Sequence, residues 1–154
     1  MKKVLFGIFY WLGQLTWGIL MTLIGLIASV ICLVFIKGSK AHRNGYSFII
    51  EVGGNWGGVS LGAISLCGHY SETDIDWFEH TRKHEAGHSL QNLIFGPLFT
   101  FVVAIPSACR YWYDVYCANH GRYLDNDWYE SAWFEHTATL WGTWYVQKVE
   151  SKVK

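Results

Sequence analysis

Proline is scarce in this sequence: Pro97 and Pro106 are its only two. None falls between residues 74 and 95, so a helix can run through that stretch unbroken until Gly96-Pro97 breaks or kinks it. Net charge is absent too, with 12 Lys and Arg against 12 Asp and Glu. That balance leaves no basic footprint for a nucleic-acid partner. Four cysteines are present, Cys32, Cys67, Cys109 and Cys117, but none stands in a CxxC spacing. Cys109 and Cys117 are near enough in sequence to pair, and unpaired thiols fit equally well. No internal repeat or low-complexity run is visible. The most informative absence is of charge near the start: no formally charged residue occurs from Val4 to Ile36.

Thirty-three uncharged residues would measure about 50 Å as one helix, and a bilayer core needs about 20 residues. The run therefore predicts a membrane anchor. Its spanning part falls at 17–36, preceded by a helical or interfacial piece over 4–14, with Gly13-Gln14 as a soft break. Trp11 and Trp17 suit the headgroup level, and the chain's nine Trp match a membrane-interface composition. Lys2 and Lys3 lie before the span and Lys37, Lys40 and Arg43 after it. That excess of one leans toward a cytoplasmic C-terminal part.

The whole chain reads as an α+β, mostly helical protein. Residues 1–37 form the membrane segment and 38–154 a single membrane-associated domain. Within 46–66, YSFIIEV and VSLGAISL read as strands around GGNWGG, which predicts a β-hairpin. A helix is expected over 74–95, with capping signals at Thr73 and Asp74. An apolar kinked segment occupies 96–106, dipping into the bilayer or packing on the first helix. An aromatic loop covers 107–127, and a last helix spans 128–149. The basic residues Lys148, Lys152 and Lys154 suit that helix's C-terminal end.

The chemistry concentrates in Lys83-His84-Glu85-Ala86-Gly87-His88. On a helix, His84 and His88 lie on one face and can close on one metal ion. Glu85 stands beside them as a candidate general base for a water whose pKa a zinc ion lowers. Gly87, poor for helix stability, lets a backbone or a substrate come close. Catalytic zinc needs a third protein ligand. The last helix offers Glu130, Glu135 and His136. Glu135 is flanked by Trp133, Phe134 and Ala138, which marks an inward face where a carboxylate needs a partner. Glu130 suits a helix start. His80 falls one turn before His84 and reads as a surface or supporting residue. His120, Tyr113, Tyr116 and Tyr123 are candidates to polarise a substrate carbonyl. The strand just before the metal helix is placed to pair with an extended peptide, although a plain structural hairpin fits the sequence better.

HEAGH with a downstream inward Glu resembles the gluzincin branch of zinc metallopeptidases. QLTWGILMTLIGL, GGVSLGAISL and HEAGHSLQNLIFGPLF with FEHTATLWG resemble a small family of bacterial membrane proteins. The resemblance implies His84, His88 and Glu135 as zinc ligands and Glu85 as base. It departs at Thr139, where gluzincins commonly carry an Asp that orients a histidine ligand. The expectation is a zinc metallopeptidase anchored in a bacterial inner or plasma membrane, acting on a peptide or protein substrate. The rival readings are a structural zinc site closed by His80, His120 or His136, and a metal-dependent hydrolase of another bond. Glu79, Arg82 and Lys83 argue against a motif sunk deep in lipid.

Overall fold

The uncharged run folds as two helices. The computed structural model describes residues 2–54, 56–125 and 127–150. In it α1 covers Lys2–Leu15 and α2 covers Ile19–Phe35, meeting at 90°. The break falls at residues 16–18, and Gly13 and Gln14 lie inside α1. The cause is a set of distant polar partners. Gln14 is fully buried. Its amide donates to the Ser89 carbonyl at 2.9 Å, and its Oε1 accepts from Thr22 Oγ1 at 3.1 Å and Asn92 Nδ2 at 2.7 Å. Gly18 sits where a Cβ would come within 2.3 Å of Asn92 Nδ2. One continuous helix would leave Gln14 unsatisfied in an apolar setting.

No single helix among the described residues is long and apolar enough to cross a membrane. Two bent pairs pass that test together, Val4–Leu15 with Ile19–Phe35 and Ile75–Leu98 with Thr100–Asn119. The polarity of α2 is inverted relative to an ordinary surface helix. Its inward side carries Thr22, Gly25, Ser29 and Cys32, while Leu23, Ile27, Val30 and Val34 are exposed.

Four strands come next, β1 Lys40–Asn44, β2 Ser47–Glu51, β3 Gly58–Leu61 and β4 Ile64–Cys67, in the order β1-β2-β4-β3. The expected 46–66 hairpin is therefore replaced by two tighter ones. The first predicted strand is β2, but its hairpin partner is β1, turning at Gly45 with φ +66°. The second predicted strand splits into β3 and β4 at Gly62, φ +72°. β2 then pairs in parallel with β4, which leaves β3 at the edge. A left-handed glycine inside an apolar run is a turn, and it divides what looked like one strand.

α3 spans Ile75–Phe95, with the Asp74 carboxylate capping the Trp77 N–H at 3.0 Å. It ends at Gly96, φ +52°. The apolar segment beyond continues as a 3-10 turn over Gly96–Leu98 and a π-helical stretch over Thr100–Ala104. It runs directly into α4, Ile105–Asn119. Most of the expected aromatic loop is thus helical. Pro106 falls in the first turn of α4, directly after the π-helical stretch. The last helix, α5, is Trp133–Glu150 and starts five residues later than expected, after a string of turns. Lys148 occupies its last turn, while Lys152 and Lys154 lie outside the described residues. All four cysteines are free, so Cys109 and Cys117 do not pair.

The sheet packs one face on α2 through Cys32, Ile50 and Ile64. Its other face meets α3 through Ile49, Cys67 and Phe78. α5 lies antiparallel on the far side of α3, at backbone contact. A Cβ on Gly87 would come 1.9 Å from the Ala138 carbonyl oxygen, and one on Gly142 would come 1.7 Å from that of Lys83. Only glycine permits this approach.

Candidate metal centre

The α3–α5 contact places the motif's histidines against the carboxylate of Glu135. His84 Nε2 lies 3.0 Å from Glu135 Oε2, His88 Nε2 lies 3.2 Å from it, and the two Nε2 atoms are 3.1 Å apart. Ligands at ~2.0–2.1 Å around a tetrahedral zinc stand about 3.3 Å from one another. The near-equilateral triangle therefore matches three ligands of one ion. All three residues are buried, and together they could hold a metal ion.

The outer nitrogens are set for that role. Gln91 Nε2 donates to the Phe134 carbonyl at 2.7 Å and to Thr137 Oγ1 at 2.8 Å. Its Oε1 is thereby left as acceptor for His88 Nδ1–H at 2.7 Å. His84 Nδ1–H donates to Thr139 Oγ1 at 2.8 Å. With Nδ1 protonated on both rings, each Nε2 lone pair points into the triangle. Thr139 thus orients His84.

Electrostatics fit a cation. Without a metal, burial raises the Glu135 carboxyl, but protons on His84 and His88 Nε2, the other tautomer, hydrogen-bond to it and hold it far below the usual carboxylate range; a cation in the triangle takes the place of those protons. Burial pushes the Glu85 carboxyl up, His84 and His88 pull it back, and Glu135 adds to the rise. Glu135 Oε1 and Glu85 Oε2 are buried without a hydrogen-bond partner among the described residues. Such atoms are costly unless something meets them. Two imidazoles and one carboxylate suit zinc, and on one face also iron(II).

A cavity of about 380 Å³ opens beside the triangle, and Glu85 and His88 form part of its wall. β3 contributes Gly58, Val59, Ser60 and Leu61 to it. Gly58 stays bare because a Cβ there would meet Glu85 Oε1 at 2.4 Å. The peptide N–H groups of Phe48 and Val52 bond to the carbonyls of Ala63 and Cys67 on the β4 side, and Gly68 N–H bonds to the carbonyl of Gly57. Antiparallel alternation then turns the peptide groups of Val59 and Leu61 toward β4, and those of Gly58 and Ser60 outward, at an edge that pairs with no further strand among the described residues.

The other sequence candidates fall elsewhere. His80 is exposed and bonds Glu130 at 2.9 Å. His136 is exposed, and His120 bonds the Tyr116 carbonyl on the surface. None of the three lies in the ligand group. Tyr113, Tyr116 and Tyr123 are all exposed and line no part of the cavity. The tyrosines that do line it are Tyr111 and Tyr129. The Tyr129 hydroxyl lies 3.0 Å from Ser107 Oγ, and burial together with the charge of Glu135 raises its pKa strongly. No sequence pattern singles out Tyr129. It belongs to the irregular turns before α5, and Arg110 fixes it there by donating to the Tyr129 carbonyl at 3.0 Å and stacking 3.8 Å over Trp128.

Compared with known proteins, the chain matches no family model, no curated protein and no solved structure.

Proposed function

We propose that the protein is a zinc-dependent peptidase resembling the gluzincins, set against a lipid bilayer. The observation that carries the reading is the His84–His88–Glu135 triangle placed at a cavity that also holds Glu85 and a free strand edge. Zinc, when bound, supplies Lewis-acid chemistry, lowering the pKa of water and polarising a carbonyl. Glu85 accepts a proton from the attacking water and delivers it to the departing amine. The water oxygen joins the carbonyl carbon, the C–N bond breaks, and the proton ends on the new amine. Tyr129 is the hydroxyl donor available for the developing oxyanion. Gly58 and Ser60 hold the peptide backbone by strand addition.

Hydrolysis is favoured over a purely structural site because the three rival histidines lie outside the ligand group among the described residues. A structural zinc site is usually closed by four protein ligands. The bilayer is supported by the outward aliphatic face of α2 and the equally apolar outer face of α1, with Leu5, Ile8, Phe9 and Leu12 exposed. Contiguous apolar surface on this scale marks an interaction face. We place the bent pair α1–α2 in the membrane and the charged start of α3 outside it.

The test is the Glu85→Gln variant of the purified chain. It is expected to retain one zinc per chain and to lose roughly 10²–10⁴-fold in peptide hydrolysis, the usual scale of general-base catalysis. A variant that cleaves as fast as the parent rules the reading out.

A further inference from the structure

We propose that the substrate is an extended, apolar stretch of a membrane-borne peptide, drawn into the cavity from the bilayer side. This rests on the peptidase reading above and adds the chemical class of what is cleaved.

The first observation is the lining. Met21, Phe99, Val103, Ile105 and Trp112 contribute large apolar side chains to the wall, and Phe99 stands edge-on to His88 at 6.5 Å. Among the described residues, Glu85 is the only charged side chain on the cavity surface apart from His88's imidazole, and no Lys or Arg reaches it. An acidic substrate side chain would lose its water here and find no Lys or Arg, and a basic one would find only Glu85, which the proposed reaction uses as its base. A large apolar side chain gains by the same transfer.

The second observation is the route in. Leu98, Phe101, Ile105 and Trp112 succeed one another at intervals of three, four and seven residues along the segment after α3, and all four are exposed. The last two also line the cavity. Met21 continues the wall onto α2, whose outer side is apolar throughout. Ile105 and Trp112, exposed and in the cavity wall at once, thus join apolar surface to the cavity, and no Lys or Arg lines the way.

The third observation separates a peptide from a lipid tail. An acyl chain would fit the apolar wall but has nothing to offer the outward peptide groups of Gly58 and Ser60. An extended peptide meets both, pairing its backbone with β3 and turning alternate side chains into the apolar recess.

The experiment uses the full chain, zinc-loaded and reconstituted in vesicles. Two quenched peptides of equal length compete, one with Leu, Val and Phe around the central bond and one with Ser, Gln and Glu. A long-chain acyl ester is run beside them. The apolar peptide is expected to show a kcat/KM higher by roughly 10–200-fold, the scale of apolar-pocket discrimination. In Val59→Glu, which puts a charge at the cavity rim, that preference is expected to collapse while zinc stays at one per chain. Equal rates on the two peptides, or a faster polar one, overturn this inference and leave peptide hydrolysis standing. Cleavage of the ester alone, or of nothing while zinc is bound, overturns both.

Discussion

Gly87 of α3 stands directly against the Ala138 carbonyl of α5, so close that a Cβ would sit 1.9 Å from that oxygen. This contact brings the two imidazoles within reach of Glu135. Helix propensity alone favours Gly87→Ala by about 1 kcal/mol. Overpacking costs ~1–3 kcal/mol where side chains can give way, and here the obstacle is backbone. Packing therefore wins. Gly87→Ala is expected to lower the melting temperature and to reduce zinc content, measured by thermal unfolding and elemental analysis. An unchanged melting temperature would contradict the close approach.

Thr139 accepts the His84 Nδ1–H at 2.8 Å. Losing the partner of a ligating histidine typically costs ~10–100-fold in metal affinity. Thr139→Ala is expected to weaken zinc binding on that scale in a chelator competition. Thr139→Asp, with its stronger acceptor, is expected to match or exceed the parent. The opposite ranking would show that the hydroxyl does not orient His84.

Metal and fold are linked. At a free zinc concentration 100 times the dissociation constant, binding stabilises by about 2.7 kcal/mol. For a chain of this size that is a rise of roughly 5–10 °C in the melting temperature. The shift is expected to disappear on adding a chelator, and to be absent in Glu135→Ala at any zinc concentration that saturates the parent.

Arg110 holds the carbonyl of Tyr129 and the hydroxyl of Ser131 at 3.0 and 2.8 Å. It acts on the site only through Tyr129 and is a positioning residue. Tyr129→Phe is expected to lower kcat with little change in KM, and Arg110→Met to do the same less strongly. The double variant is expected to be no worse than Tyr129→Phe alone, because the two act as a unit. Additive losses, or loss of zinc in either, would break the link.

Arg82 bonds Glu79 within α3 and Glu150 at the end of α5. Its guanidinium holds the Glu79 carboxyl below the ordinary 4.5, against the opposing effect of burial. A carboxyl whose folded pKa is depressed adds stability that is complete above its unfolded pKa and fades as pH falls through the folded one. The stability gap between the parent and Glu79→Gln is therefore expected to be constant above about pH 5.5 and to close below about pH 4.5. Because the Glu79 side chain is 37% exposed, the gap is expected to be small and to shrink with added salt. A gap that widens on acidification would reverse the assignment.

The sequence by itself determined the local parts of the site. Helical periodicity put His84 and His88 on one face, Phe134 and Ala138 turned Glu135 inward although Trp133, expected on the same face, is exposed, and Asp74 capped the helix where its side chain reaches Trp77. It also determined the uncharged run and its apolar outer surface. Only the tertiary structure decided the rest, because those features depend on partners far away in the chain. Gln14 bends the first two helices through Ser89 and Asn92, some 75 residues on. Strand order follows from pairing across Gly62 and between β2 and β4, so the free edge at the cavity was hidden in what read as one hairpin. Tyr129 reaches the cavity because Arg110 of α4 holds its turn, and no period records a turn held from outside. Gly142 matters only where α5 touches α3, a contact set by how two helices cross and not by either helix alone.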